Sequence, residues 1–384
     1  MKKTIFSLAT LVAALLSAGS CSANKNASEA AAADTVANCF QIHRGTNLSH
    51  WLSQSQERGE ARAKHIQEDD IARLDSLGFD FVRIPIDEEQ FWDEKGNTLP
   101  EAWGLLRNVL NLCGKHHLRA IVDLHIIRSH YFNAENEGNA NTLFTSEEAQ
   151  NQLIGMWHQL SDSLHTYSTD SVAYEFMNEP VAKDHEDWNK LIAKVHKALR
   201  ELEPNRTLVI GSNLWQATHT FKYLKVPEGD KNIILSFHFY EPMVLTHNTA
   251  PWTPVGKYAG KITYPGVMIS QEDFAKAPEA IKKDIEKYTK EWNRDSLRSL
   301  MNDAIEVAKK YDLQLFCGEW GVFEPVDREL AYAWTRDMIS VFNENGVAWA
   351  TWCYDADFGF WDQKKHTFKD KPLVDILLGK EKGK

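Results

Sequence analysis

Two carboxylates stand where apolar runs stop. Residues 172–177 read as a buried strand and lead into Asn178 and Glu179, directly before Pro180; residues 313–316 do the same and lead through Cys317 and Gly318 to Glu319. Carboxylates that converge on one pocket can divide nucleophilic attack and proton transfer between them. Other side chains with chemical capacity hold equivalent places. Arg83 closes the run 79–84, His125 the run 118–124, His238 and Tyr240 the run 233–239, and Trp352 the run 347–352. Singly, such residues are commonly helix-cap partners, solvated loop residues or satisfied structural donors. Their recurrence at six strand ends is what points to a site.

The elements that must position them follow from the apolar pattern. Eight short strand-like runs, 40–48, 79–84, 118–124, 172–177, 207–210, 233–239, 313–316 and 347–352, are separated by amphipathic stretches at helical period, among them 66–77, 102–116, 147–167, 188–203, 294–311 and 329–345. Strands alternating with helices predict parallel pairing through right-handed crossovers. Eight such units in about 340 residues predict an α/β fold of one domain, a (β/α)8 TIM barrel, whose functional face lies at the carboxyl ends of the strands. Both carboxylates therefore belong in one pocket. No GxGxxG or P-loop pattern follows the first strand, so nucleotide binding is not expected. Two connections are long, 126–145 and 241–290. The second carries Trp252, Tyr258, Tyr264 and Pro265 and reads as an ordered rim; Arg128 to Phe132 of the first can line a subsite or pack the loop. Trp51, Trp215, Trp252 and Trp320 are further candidates for contact with a ligand.

The chain has 384 residues, 54 acidic against 43 basic, and a formal charge of −11 with no long basic run, which argues against nucleic acid as a partner and against direct binding to an anionic membrane. Residues 1–21 read as an export signal: Lys2 and Lys3, an apolar run 5–16, then small residues before Cys21. That ending resembles the lipobox of bacterial lipoproteins, with Ala18 in a place more usual for Leu, and implies a lipid anchor on Cys21; plain secretory cleavage is the alternative. Residues 22–38 read as a flexible tether and 39–384 as the catalytic domain. Of the remaining cysteines, Cys39, Cys113, Cys317 and Cys353, none shows a zinc spacing; buried thiols are expected, with a Cys317–Cys353 disulfide open.

The motifs are similar to those of glycoside hydrolase family 5, the cellulase family, over residues 40–355. Arg83, His125, Asn178, Glu179, His238, Tyr240, Glu319 and Trp352 match the family's characteristic positions in strand order, with Asn-Glu-Pro at 178–180 and Gly-Glu-Trp-Gly at 318–321. Residues 44–49 resemble the first-strand motif, with Ser49 in place of its last glycine. The resemblance implies retaining hydrolysis of a β-linked polysaccharide or oligosaccharide without cofactor or metal. Glu319 would be the nucleophile, ionised by Arg83 and Tyr240, and Glu179 the acid/base. Asn178 would bind the sugar 2-hydroxyl, His125 and His238 would orient hydroxyls and the acid, and Trp352 would floor the cleavage site. An exported, lipid-anchored endo-β-1,4-glucanase is the reading this favours. Mannan, xyloglucan, mixed-linkage and β-1,3-glucan activity, and exo action, remain alternatives, as does a noncatalytic polysaccharide-binding lipoprotein on the same barrel.

Overall fold

The computed structural model describes residues 39–133 and 141–381; the signal segment, Cys21 and the tether lie outside the described residues. Eight parallel strands close into a barrel: β1 (Arg44–Asn47), β2 (Phe81–Asp87), β3 (Arg119–Ile126), β4 (Val172–Glu175), β5 (Leu208–Gly211), β6 (Ile233–His238), β7 (Gln314–Trp320) and β8 (Ala348–Thr351), with β8 paired to β1. The expected (β/α)8 architecture and the single domain are what the chain adopts.

Inside the barrel the lower layers are apolar. Phe40, Ile42, Phe81, Ile121, Val209, Ile234 and Phe316 fill them, and Gly45 is required because a Cβ there would sit 2.6 Å from the Phe81 ring. A larger apolar shell packs between the sheet and the helices, which run from Pro100–Lys115 on one side to Arg328–Asn345 on another. Trp51 and Trp320 belong to that core, Trp320 against Trp334, Phe342 and Trp349, and are not ligand contacts.

Two expectations are corrected. Arg83 does not close β2 but is its third residue, because the strand continues through Pro85, Ile86 and Asp87 in register with β3; a proline that normally ends a strand is accepted here. Arg83 therefore sits deeper in the barrel than a strand-end residue. The stretch 294–311 is two helices, Arg294–Leu300 and Asn302–Tyr311, broken at Met301. As expected, Cys113, Cys317 and Cys353 are buried free thiols, and the open question of a Cys317–Cys353 disulfide is answered by its absence. The segment 241–290 is ordered as expected, with short helices and a two-stranded pairing of Gly266–Val267 with Glu291–Trp292. No described helix is long and apolar enough to cross a membrane.

Candidate active site

The carboxyl ends of the strands open into a cleft of about 1630 Å³, lined from the loops after β1, β2, β3, β4, β5, β6 and β8. That exceeds the roughly 300–1,000 Å³ of a typical small-ligand pocket and suits several sugar rings. Glu179 and Glu319 both face it. Glu319 is supplied by β7, and Glu179 by the loop four residues beyond β4, where its backbone φ of +43° is one that non-glycine residues rarely adopt. The loop is pinned on its far side: Val181 N–H donates to His130 Nε2 at 3.3 Å and Ala182 N–H to Asn213 Oδ1 at 2.9 Å.

Arg83 organises the floor. Its guanidinium donates to Glu319 Oε1 at 2.9 Å, to Asn47 Oδ1 at 3.0 Å, to Asn178 Oδ1 at 2.9 Å and to both oxygens of Glu175 at 2.6 and 3.2 Å, and lies 2.9 Å from Asp123 Oδ2. Burial alone would favour the neutral guanidine, but Asp123, Glu175 and Glu319 more than reverse it and hold Arg83 charged. With its carbonyl turned to Arg83, Asn178 leaves Nδ2 buried and without a hydrogen-bond partner among the described residues, a donor with unused capacity next to Glu179.

The two carboxylates are held differently. Tyr240 Oη donates to Glu319 Oε2 at 3.1 Å, while His238 Nδ1 lies 2.8 Å from Glu179 Oε1 and 3.6 Å from Glu319 Oε2. One oxygen of Glu179, one of Glu319 and a nitrogen of His238 lie within 4.8 Å of one another. Burial raises the pKa of both acids. For Glu179 the charge of Glu319 adds to the rise, whereas for Glu319 the charge of Arg83 opposes it, so Glu319 is first of the pair to ionise. Arg83 thus moderates the rise in the Glu319 pKa without overcoming burial. Burial also keeps His238 well below its ordinary pKa and lowers that of His125 to about 4, so both are neutral at pH 7. A neutral His238 donating from Nδ1 leaves the second oxygen of a protonated Glu179 free to deliver its proton.

His125 Nδ1 is 2.7 Å from Asp123 Oδ2, and its ring stacks on Trp352 with 5.6 Å between centroids and 7° between planes. Trp352 lines the cleft, as do both carboxylates. Gly318 makes room for His238, since a Cβ would meet His238 Nε2 at 3.1 Å and Ser236 Oγ at 3.0 Å. The exposed Trp215 and Trp252 line the rim, as do Arg128, Tyr131 and Phe132.

All eight candidate residues therefore converge. Sequence reasoning missed Asn47, Asp123 and Glu175, the buried partners of Arg83, and Gln54, whose Nε2 lies 3.2 Å from His125 Nε2. Asp123 and Glu175 carried a signal: each is a charge inside an apolar strand run, which must have a partner.

The comparisons with known proteins decide the family. The model for Cellulase (glycosyl hydrolase family 5) matches residues 37–358. The chain belongs to glycoside hydrolase family 5. Among its family 5 relatives is Endoglucanase C of Acetivibrio thermocellus, 30% identical over 338 residues, which are 87% of this chain and 97% of that one. Cellodextrinase A of Ruminococcus flavefaciens is 28% identical over 80% of this chain and 84% of its own length. In fold the chain is similar to the endoglucanase Cel5A of Thermotoga maritima, with a TM-score of 0.71, 23% identity and coverage of 88% of this chain and 98% of that one. The family 5 enzyme described here is a glycoside hydrolase.

Proposed function

We propose that this family 5 enzyme is a retaining endo-β-1,4-glucanase in which Glu319 is the nucleophile and Glu179 the acid/base. The observation that carries the reading is the approach of the two carboxylates to within 4.8 Å, oxygen to oxygen, in one open cleft. Retention requires carboxyl groups roughly 5 Å apart, while inversion needs room for a water between them, about 6.5–9.5 Å. In the first step a Glu319 oxygen attacks the anomeric carbon and forms a glycosyl ester, as Glu179 passes its proton to the departing glycosidic oxygen. In the second, Glu179 takes a proton from water, the water oxygen attacks the same carbon, and Glu319 leaves as carboxylate. Asn178 Nδ2 meets the sugar 2-hydroxyl, a contact that strengthens as positive charge develops on the ring.

Endo action on β-1,4-glucan is supported by the size of the cleft and by relatives named endoglucanases, the first of which the chain covers almost end to end. We further propose that the enzyme is exported and anchored through lipid on Cys21, on the strength of the leader-like residues 1–21.

The test combines trapping and polymer assays. A 2-deoxy-2-fluoro-cellobioside with a good leaving group should esterify Glu319, identified by mass spectrometry of the peptide. β-1,4-glucan should lose viscosity faster than it gains reducing ends, and Glu179→Gln and Glu319→Gln should abolish this. A label on another residue would overturn the assignment of the nucleophile, and release of disaccharide without loss of viscosity would overturn endo action. Labelled fatty acid should enter the wild type and not Cys21→Ala.

A further inference from the structure

Beside the carboxylate pair the cleft wall holds a second constellation. β1 and β8 are neighbours in the barrel, so the loops that leave them meet: His50 stands three residues beyond β1, and Cys353 and Asp357 lie just beyond β8. A ring nitrogen of His50, the Cys353 sulfur and a carboxylate oxygen of Asp357 all lie within 4.8 Å of one another. Both His50 and Asp357 line the cleft, and the His50 ring is 5.9 Å from the ring of Trp352. We propose that His50, Cys353 and Asp357 bind a thiophilic divalent cation, for which Zn²⁺ is the probe, in the wall of the glycan cleft.

Three features carry this. The donor set of imidazole, thiol and carboxylate suits zinc and its neighbours and not magnesium or calcium. With ligand distances of about 2.0–2.3 Å, a tetrahedral site needs donor atoms roughly 3.3–3.8 Å apart, so the three close on an ion by shifts of about 1 Å. Finally, Asp357 Oδ1 is buried and accepts no hydrogen bond among the described residues, and the same holds for Oδ1 of the neighbouring Asp355, whose Oδ2 lies 2.9 Å from His65 Nε2. An unmatched buried oxygen points to an absent partner. Ser49 Oγ lies 2.9 Å from His50 Nδ1 and fixes the ring, the outer support that ligating histidines commonly have.

As the sulfur–metal bond forms, the Cys353 thiol gives its proton to solvent. Three protein ligands leave a fourth position facing the cleft, for water or a sugar hydroxyl. An ion there draws His50 and Asp357 together beside Trp352 and competes with the ring that would pack at this wall. The site does not depend on which glycan is cut, because binding is measured without substrate.

The experiment titrates the purified protein with Zn²⁺ by calorimetry and with Co²⁺ by absorption. One Zn²⁺ should bind per chain, and Co²⁺ should give a thiolate-to-metal charge-transfer band. Cys353→Ser should lose the band, Cys353→Ser and Asp357→Asn should each weaken Zn²⁺ binding at least tenfold, and Glu319→Gln should leave binding unchanged. Zn²⁺ should raise KM for cello-oligosaccharides in the wild type and not in Cys353→Ser. Glu179, His238 and Glu319 form the rival cluster. Zn²⁺ binding that survives Cys353→Ser and Asp357→Asn but is lost in Glu319→Gln would overturn the proposal, as would the absence of a Co²⁺ charge-transfer band in the wild type. If Cys353→Ser does not fold, Asp357→Asn decides by the same Zn²⁺ titration.

Discussion

Replacing Tyr240 with phenylalanine isolates one hydrogen bond to the proposed nucleophile. Tyr240 Oη donates to Glu319 Oε2 at 3.1 Å, and burial keeps the phenol protonated far above neutral pH. The ring packs against His247 and Phe358 at centroid distances of 5.1 and 5.9 Å, contacts that phenylalanine preserves. A hydrogen bond to a charged acceptor contributes about 1.5–3 kcal/mol, and the length of this one favours the lower figure. At 1.36 kcal/mol per pKa unit, losing it raises the Glu319 pKa by about one unit. Glu319 must be ionised to attack, so the acidic limb of kcat/KM moves toward neutral pH by that amount. The assay is kcat/KM against pH for a dinitrophenyl β-cellobioside, whose leaving group needs no proton from Glu179, so the limb reports on Glu319. An acidic limb within about 0.3 pH units of the wild type would refute the reasoning that Tyr240 stabilises the ionised nucleophile.

Three further outcomes are expected. Burial raises the Asp87 pKa to about 6 from 3.8, so its folded form holds a proton more tightly than the unfolded chain, and the stability this gives is lost as pH rises through about 6. Asp87→Asn should therefore gain on the wild type by up to about 3 kcal/mol between pH 4 and pH 8, read from urea midpoints; an unchanged difference would contradict the shift. Asn178→Ala should lower kcat/KM about a hundredfold on a cellobioside and far less on its 2-deoxy analogue, because in the proposed mechanism only the former carries the hydroxyl that Nδ2 would meet. Gly318→Ala should displace His238 and lower kcat at least about tenfold with the circular dichroism spectrum retained; full activity would show that His238 has slack.

The barrel was legible because each unit repeats one pattern, an apolar run and then an amphipathic stretch, and because a closed parallel barrel assigns every strand end to the same face. That rule brought Glu179 and Glu319 together across the 139 residues that separate them. What it missed came from competition between local and global demands. Pro85 argued for the end of β2, yet pairing with β3 carries the strand on and sinks Arg83 into the interior. Once there, Arg83 requires Asp123 and Glu175, whose meaning depends on a partner that the local pattern does not reveal. The break at Met301 between two helices has no proline or glycine to announce it. His50, Cys353 and Asp357 show no motif at all, because their proximity is created by closure of β8 onto β1.

The segment 241–290 is tied off where it begins. Glu241 accepts from Lys287 Nζ at 2.6 Å and from Tyr288 Oη at 2.9 Å, so nearly the whole excursion is closed by its own base. Such a loop carries its own closure, while Tyr258, Met268, Ile269 and Ile285 within it join the apolar shell around the barrel and Tyr264 Oη donates to Asp337 at 2.7 Å. Doubling its length would cost only about 0.6 kcal/mol in closure entropy. The acceptance of new branches or linkages at this rim can therefore drift by insertion and deletion, while the strands that hold the chemistry stay fixed.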